Sequence, residues 1–95
     1  MRALVWTLEA LQDRDAIYDY IEADNPAAAL TLDKRFAERA ACLVEHPALG
    51  RPGRVTDTRE LIVHRRYIIV YDVDETAVRI LRILHVALQW PPWSS

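Results

Sequence analysis

The stretch TRELIVHRRYIIVYDVDETAVRILRILH, residues 58–85, decides how this chain folds. It is rich in Ile, Val, Tyr and Leu, and is broken only at Arg65-Arg66 and at Asp74-Glu75-Thr76. Runs of β-branched and aromatic residues between polar breaks read as strands. Three strands are predicted, over 58–64, 67–73 and 77–85, and connections this short make them an antiparallel meander.

Upstream the period changes. Residues 3–7, with Val5 and Trp6, read as a short opening strand, and Thr7 is placed to cap the helix that follows. From Leu8 to Ala23 one apolar stripe recurs at Ala10, Ile17, Tyr20 and Ile21, with Asp13, Asp15, Asp19 and Glu22 between. Asn25-Pro26 stops that helix and starts another, because proline disfavours helical geometry before it yet suits a first turn. The second helix, from Ala27 to Glu45, has the stripe Ala29, Leu32, Phe36, Ala40 and Leu43. So short a break predicts an antiparallel helical hairpin with both stripes facing one core. Pro47, Gly50, Pro52 and Gly53 make 47–57 the one clear loop.

The predicted fold is therefore α+β, in the order β-α-α-β-β-β, with an antiparallel sheet covered on one face by the hairpin. Residues 1–95 make one domain, with the first strand and hairpin in 1–46, the meander in 58–85 and a tail in 86–95. Pro91 and Pro92 keep that tail from continuing as helix or central strand.

Composition narrows the function classes. An apolar fraction of 52% in 95 residues fits one packed core and argues against disorder. No apolar run approaches the ~18 residues of a membrane span, and Met1 to Thr7 lack a signal peptide's apolar core. A cytoplasmic protein with no membrane partner is expected. Cys42 has no second cysteine to pair with, and its neighbours Ala41, Leu43 and Val44 suggest helix packing. Neither metal nor cofactor is expected. The net charge of −2 hides an asymmetry. Residues 1–46 hold five Lys/Arg against nine Asp/Glu, whereas residues 47–95 hold seven Arg against five Asp/Glu. Arg51, Arg54, Arg59, Arg65 and Arg66 crowd into a short stretch, which suggests either a basic face for an anionic target or solvated loop and strand edges.

Taken in order, these residues resemble a known family. The opening Trp6-Thr7, Ala10, Asp13, Ile17, Tyr20-Ile21, Asn25-Pro26 and Ala28-Ala29 resembles the first half of ParE-like toxins. So do Glu45-His46-Pro47, Gly50-Arg51-Pro52-Gly53-Arg54-Val55 and Thr58-Arg59-Glu60-Leu61. Tyr67 to Tyr71, Val78 to His85 and Trp90-Pro91 complete the pattern over nearly the whole chain. The chain is identified as a member of the RelE/ParE superfamily, closer to the ParE-like branch. That resemblance implies the growth-inhibiting half of a type II toxin–antitoxin system, of the kind used in plasmid stabilization, held silent by a cognate antitoxin.

The resemblance implies two chemistries. RelE-like members are ribosome-dependent mRNA endonucleases, and ParE-like members poison DNA gyrase without nuclease activity. Metal-free RNA cleavage needs a base, an acid and cations for the developing charge. The candidates are Arg59, Arg82 and His85, of which His85 matches a position where some nucleolytic relatives carry a catalytic histidine; ParE-like members often have one there too. His46 reads as a cap beside a helix C-terminus, and His64 as exposed beside a turn. Where the RelE branch has a basic residue after the aromatic, this chain has Ile68, and where other nucleases have histidine it has Ile62. A pI near 5.9 is low for a ribosome-docking protein, and the helical hairpin is long, as in ParE-like members. The expected target is therefore DNA gyrase, contacted through Arg51, Arg54, Arg59, Arg65, Arg66, His85 and Trp90. The alternatives are ribosome and mRNA, or an inactive member that only binds antitoxin.

Antitoxins of this superfamily typically lay a folding-on-binding segment into an apolar groove. Trp6 and Trp93 are the candidate anchors for it; Trp90 has packing back on the sheet as its plainer reading. Arg79 and Arg82, three positions apart, are expected on opposite faces of the last strand. Arg82 is expected near the helix-covered face or its edge, paired with a carboxylate such as Asp13 or Asp72, and Glu60 is expected to pair with an arginine.

Overall fold

The computed structural model describes residues 1–87 and Trp90. The elements run β1 (Ala3–Trp6), α1 (Leu8–Glu22), α2 (Pro26–Glu45), β2 (Arg51–Pro52), β3 (Arg59–His64), β4 (Tyr67–Val73) and β5 (Ala77–His85). Both helices start where the caps predict. The Thr7 hydroxyl accepts from the Ala10 N–H at 3.1 Å, and the Asn25 side-chain oxygen accepts from the Ala28 N–H at 3.0 Å, with Pro26 opening the first turn. Each cap satisfies a donor that the helix itself leaves orphaned.

Helix α2 buries its whole predicted stripe, Ala29, Leu32, Phe36, Ala40 and Leu43. Burying a Phe or Leu side chain stabilises a fold by roughly 1.5–3 kcal/mol, so this one face dominates the hairpin's attachment. Helix α1 departs from its predicted stripe. Ala10 is buried and Ile17 and Ile21 pack on the core, but Tyr20 is 79% exposed. Adjacent helix positions point about a third of a turn apart, and Ile21 takes the inward one. Cys42 is exposed rather than packed, because Ala40 and Leu43 already hold the inward positions beside it.

The helices cover one face of a five-stranded sheet ordered β1-β5-β4-β3-β2. The meander β3-β4-β5 is antiparallel, as predicted. Two features correct the expected order. Strand β1 pairs parallel with β5, Ala3 opposite Ala77 through Trp6 opposite Ile80, so the sheet is mixed. The predicted loop also contains β2, where Arg51 and Pro52 pair antiparallel with Glu60 and Arg59. A proline is tolerated there because β2 is an edge strand.

Central β4 is buried on both faces. Tyr67, Ile69 and Tyr71 join Phe36 and Leu43 in the main core, whereas Ile68 and Val70 form a smaller cluster with Leu84, flanked by Leu81 and Trp90. The β4–β5 register shifts between Val70, opposite Arg82, and Tyr71, opposite Ile80, leaving Leu81 as an extra residue. This bulge cancels the odd offset between Arg79 and Arg82: their partners Asp72 and Val70 share one face of β4, so the two arginines emerge on the same side. The expectation of opposite faces fails for that reason.

Among the described residues no strand neighbours the edge of β5 beyond Trp6, and side chains close it. The Thr7 N–H reaches the Ile80 carbonyl, and its hydroxyl donates to the Leu81 carbonyl at 2.9 Å. Asp13 Oδ2 accepts from the Ile83 N–H at 3.0 Å.

Candidate functional site

The two ends of the meander use similar residues differently. At one end, the loop after α2 is tied down through Tyr71. Its buried hydroxyl donates to the Pro47 carbonyl and accepts from the Gly50 N–H, both at 2.8 Å. Burial pushes its pKa up, against the Gly50 hydrogen bond and the nearby Arg59 charge. Gly50 is required by proximity, since a Cβ there would sit 2.7 Å from that hydroxyl. Glu60, 2% exposed, anchors the rest of the loop. Its carboxylate accepts from the Arg54 N–H at 3.0 Å and pairs with the Arg51 and Arg54 guanidiniums at 3.4 Å. Burial alone would raise the Glu60 pKa, but that N–H and the two arginines outweigh it and hold it below the usual range. Arg59 donates to the Gly50 carbonyl at 2.7 Å and the Ala48 carbonyl at 3.5 Å. Three of the five clustered arginines, Arg51, Arg54 and Arg59, are thus committed to building the loop.

At the opposite end, β3 turns into β4 through Arg65-Arg66. The His64 Nδ1 accepts from the Arg66 N–H at 3.1 Å, and the Arg66 carbonyl accepts from the Val86 N–H at 2.7 Å. Both arginines are exposed, and among the described residues neither forms an ion pair. Partial burial, then the charges of Arg65, Arg35 and Arg66, lower the His64 pKa. Tyr67 lies between two imidazoles, 6.0 Å from the His64 ring and 5.4 Å edge-on to His85. His85 is exposed, and its Nδ1 accepts from the Ala87 N–H at 3.1 Å. In both rings Nδ1 is therefore occupied by a backbone N–H two residues on.

Arg82 forms a bidentate pair with Asp13 at 2.7 and 3.0 Å, as the sequence reading expects. That bond raises its pKa against the opposing effect of burial. Its guanidinium also lies 5.7 Å from the ring centre of Trp90. Trp90 is half-buried against Ile68, Val70 and Leu84, which matches its plainer reading. Arg82, His85 and Tyr67 line one shallow groove with Asp13 and Tyr20. Arg59 does not join them. It stands opposite Tyr71, whereas His85 stands opposite Tyr67, four residues along β4 or roughly 13 Å away.

Of the nuclease-deciding positions, Ile62 is exposed and Ile68 is buried in the smaller cluster. His46 is the C-cap of α2, as expected. Trp6 is half-buried beneath the Arg14 guanidinium, which is 5.0 Å from its ring centre and held by Asp33. Trp93 lies outside the described residues. Sequence reasoning missed Arg35 and Tyr20 at the turn end. Their signal was weak: Arg35 belongs to the acidic half of the chain, and Tyr20 looked like part of a stripe.

A helical hairpin on a five-stranded, mostly antiparallel sheet defines the α+β fold of small RelE/ParE toxins. The family model for the ParE toxin of the type II toxin–antitoxin system parDE matches residues 4–90, and the chain belongs to that family. It is 45% identical over 87 residues to the toxin candidate Y4kP of Sinorhizobium fredii, covering 90% of each chain. It is 42% identical over 87 residues to Toxin RelE2 of Caulobacter vibrioides, covering 92% of this chain and 98% of that one. A chain of the chromosomal ParDE toxin–antitoxin system of P. aeruginosa superposes with a TM-score of 0.81 at 33% identity, over 90% of this chain and 97% of that one. YoeB of Staphylococcus aureus, solved as a complex with YefM, shares the fold at 18% identity and a TM-score of 0.60, over 90% of this chain and 97% of that one. Among the described residues no helix is long and apolar enough to cross a membrane.

Proposed function

We propose that this type II toxin inhibits growth by binding and poisoning DNA gyrase, and that a cognate antitoxin neutralises it. One observation carries the reading: Arg59 stands apart from the groove that Arg82 and His85 share, and all three are already engaged by other groups. Arg59 is held by two loop carbonyls, Arg82 by Asp13, and the His85 Nδ1 by a backbone N–H. Metal-free RNA cleavage needs such groups within reach of one phosphate. A protein that acts by binding needs only a surface, and the exposed Arg65, Arg66 and His85 supply one.

The mRNA-cleaving alternative keeps one point in its favour, the shared groove of Arg82, His85 and Tyr67. The purified chain is expected to trap gyrase on cleaved DNA and to leave mRNA intact on translating ribosomes. Ribosome-dependent cleavage that His85→Ala abolishes would overturn the proposal. Absence of growth arrest on induction would instead favour a module that only binds antitoxin.

A further inference from the structure

Among the described residues, three side chains accept from the backbone N–H two residues on, and two of them are histidines. The His64 Nδ1 accepts from the Arg66 N–H and the His85 Nδ1 from the Ala87 N–H, both at 3.1 Å. At the β4–β5 turn, Asp74 Oδ1 accepts from the Thr76 N–H at 2.7 Å. Such bonds are ordinarily made by Asn, Asp, Ser or Thr. Acid separates the two kinds. Asp74 stays ionised, because the Thr76 N–H and then Arg79 hold its carboxyl well below the usual range. An imidazole that accepts at Nδ1 carries its proton on Nε2. A second proton turns Nδ1 into a donor facing another donor, and the bond is lost.

The turn end is built around these ties. His64 pairs with Tyr67, so Arg65-Arg66 is a two-residue connection. Neither arginine has the positive φ that the usual hairpin turns of this length require. Two bonds brace it instead: the one to His64, and the Arg66 carbonyl accepting from the Val86 N–H at 2.7 Å. His85 fixes the chain on either side of Val86, and the Tyr67 ring lies between the two imidazoles.

We propose that His64 and His85 form a pH-sensitive latch on the Arg65–Arg66 surface. Neutral, they hold the turn to the end of β5; protonated, they release both, while the Asp74 turn stays closed. The charges around them set the bias. His64 has Arg65 and Arg66 on its own turn and Arg35 from α2, with Asp24 and the Tyr20 phenol lining the same groove. Partial burial and then the three arginines oppose its protonation and lower its pKa. Its tie is therefore complete above the ordinary histidine pKa and lost as pH falls through the folded one. His85 shares its groove with Tyr67, Tyr20, Arg82 and Asp13, and the last two are paired with each other.

The test follows the isotope-labelled chain by NMR from about pH 7.5 to about pH 5. At the upper limit both rings are expected to carry their proton on Nε2. On acidification the protection factors of the Arg66, Val86 and Ala87 N–H groups should fall about tenfold, and that of Thr76 should not move. Asparagine places Oδ1 where histidine places Nδ1, and it does not titrate. His64→Asn with His85→Asn should therefore keep the protection at both limits, whereas His64→Ala with His85→Ala should lack it at both. A neutral Nδ1–H form at either ring, or wild-type protection that ignores pH, would overturn the proposal. So would an acid loss that persists in the asparagine variant, or protection retained in the alanine one. None of these readings depends on gyrase being the target.

Discussion

The two ends of the β3–β4 pair hold arginines of the same kind in opposite circumstances. At the loop end, Glu60 and a set of carbonyls engage Arg51, Arg54 and Arg59. At the turn end, Arg65 and Arg66 stand exposed, and among the described residues neither holds a carboxylate. What separates the two groups is one buried glutamate and one buried tyrosine. A cluster of basic residues in sequence is thus two things in space, part scaffold and part surface.

The sharpest way to break this contrast is to remove the loop end's central side chain. Tyr71→Ala empties a fully buried aromatic position and frees two loop hydrogen bonds, so it should cost roughly 3–5 kcal/mol in chemical denaturation. Glu60→Ala should cost roughly 1–3 kcal/mol, because it leaves the Arg54 N–H without its acceptor, while the half-exposed Arg51 and Arg54 guanidiniums turn to water. The pH dependence has a definite sign. Glu60 has a lowered folded pKa, so its stabilisation is full above the unfolded carboxyl pKa and is lost as pH falls through the folded one. Between those limits the wild type should lose stability faster on acidification than Glu60→Gln.

Gly50→Ala pushes a methyl group against the Tyr71 hydroxyl and should cost roughly 1–3 kcal/mol, read as a lowered midpoint at unchanged slope. At the turn end, Arg65→Gln with Arg66→Gln should leave stability within about 0.5 kcal/mol and, on the proposed function, weaken growth inhibition on induction. If the two arginine groups swapped these outcomes, the division into scaffold and surface would be wrong.

How much of this was legible in sequence depended on the range of the interaction. Helix α2 was readable in full, because Ala29, Leu32, Phe36, Ala40 and Leu43 leave only one face to bury. The strands of the meander were readable because Arg65-Arg66 and Asp74-Glu75-Thr76 interrupt them. In the second of these turns, the Asp74 side chain accepts from the Thr76 and Ala77 N–H groups. Its carboxyl is held well below its usual range, first by the Thr76 N–H and then by Arg79. The parallel pairing of β1 with β5 was not readable, since the partners lie at opposite ends of the chain and no local pattern encodes them. Nor was the Leu81 bulge, which breaks the period-two rule without altering composition. At the candidate site, Arg65 and Arg66 were visible as cations, but Arg35 joins them only through the packing of α2 against the sheet.

Asp13 shows what this means for genetics. Its carboxylate holds Arg82 and satisfies the Ile83 N–H, standing in for the strand that β1 is too short to supply. Substituting it would leave the Ile83 N–H at the sheet edge open to another chain, and Asp13 variants are expected to lose soluble yield to self-association. A screen for cells that survive toxin induction would therefore recover Asp13 variants as readily as variants of the working surface. Only an assay of soluble yield would tell the two kinds of survivor apart.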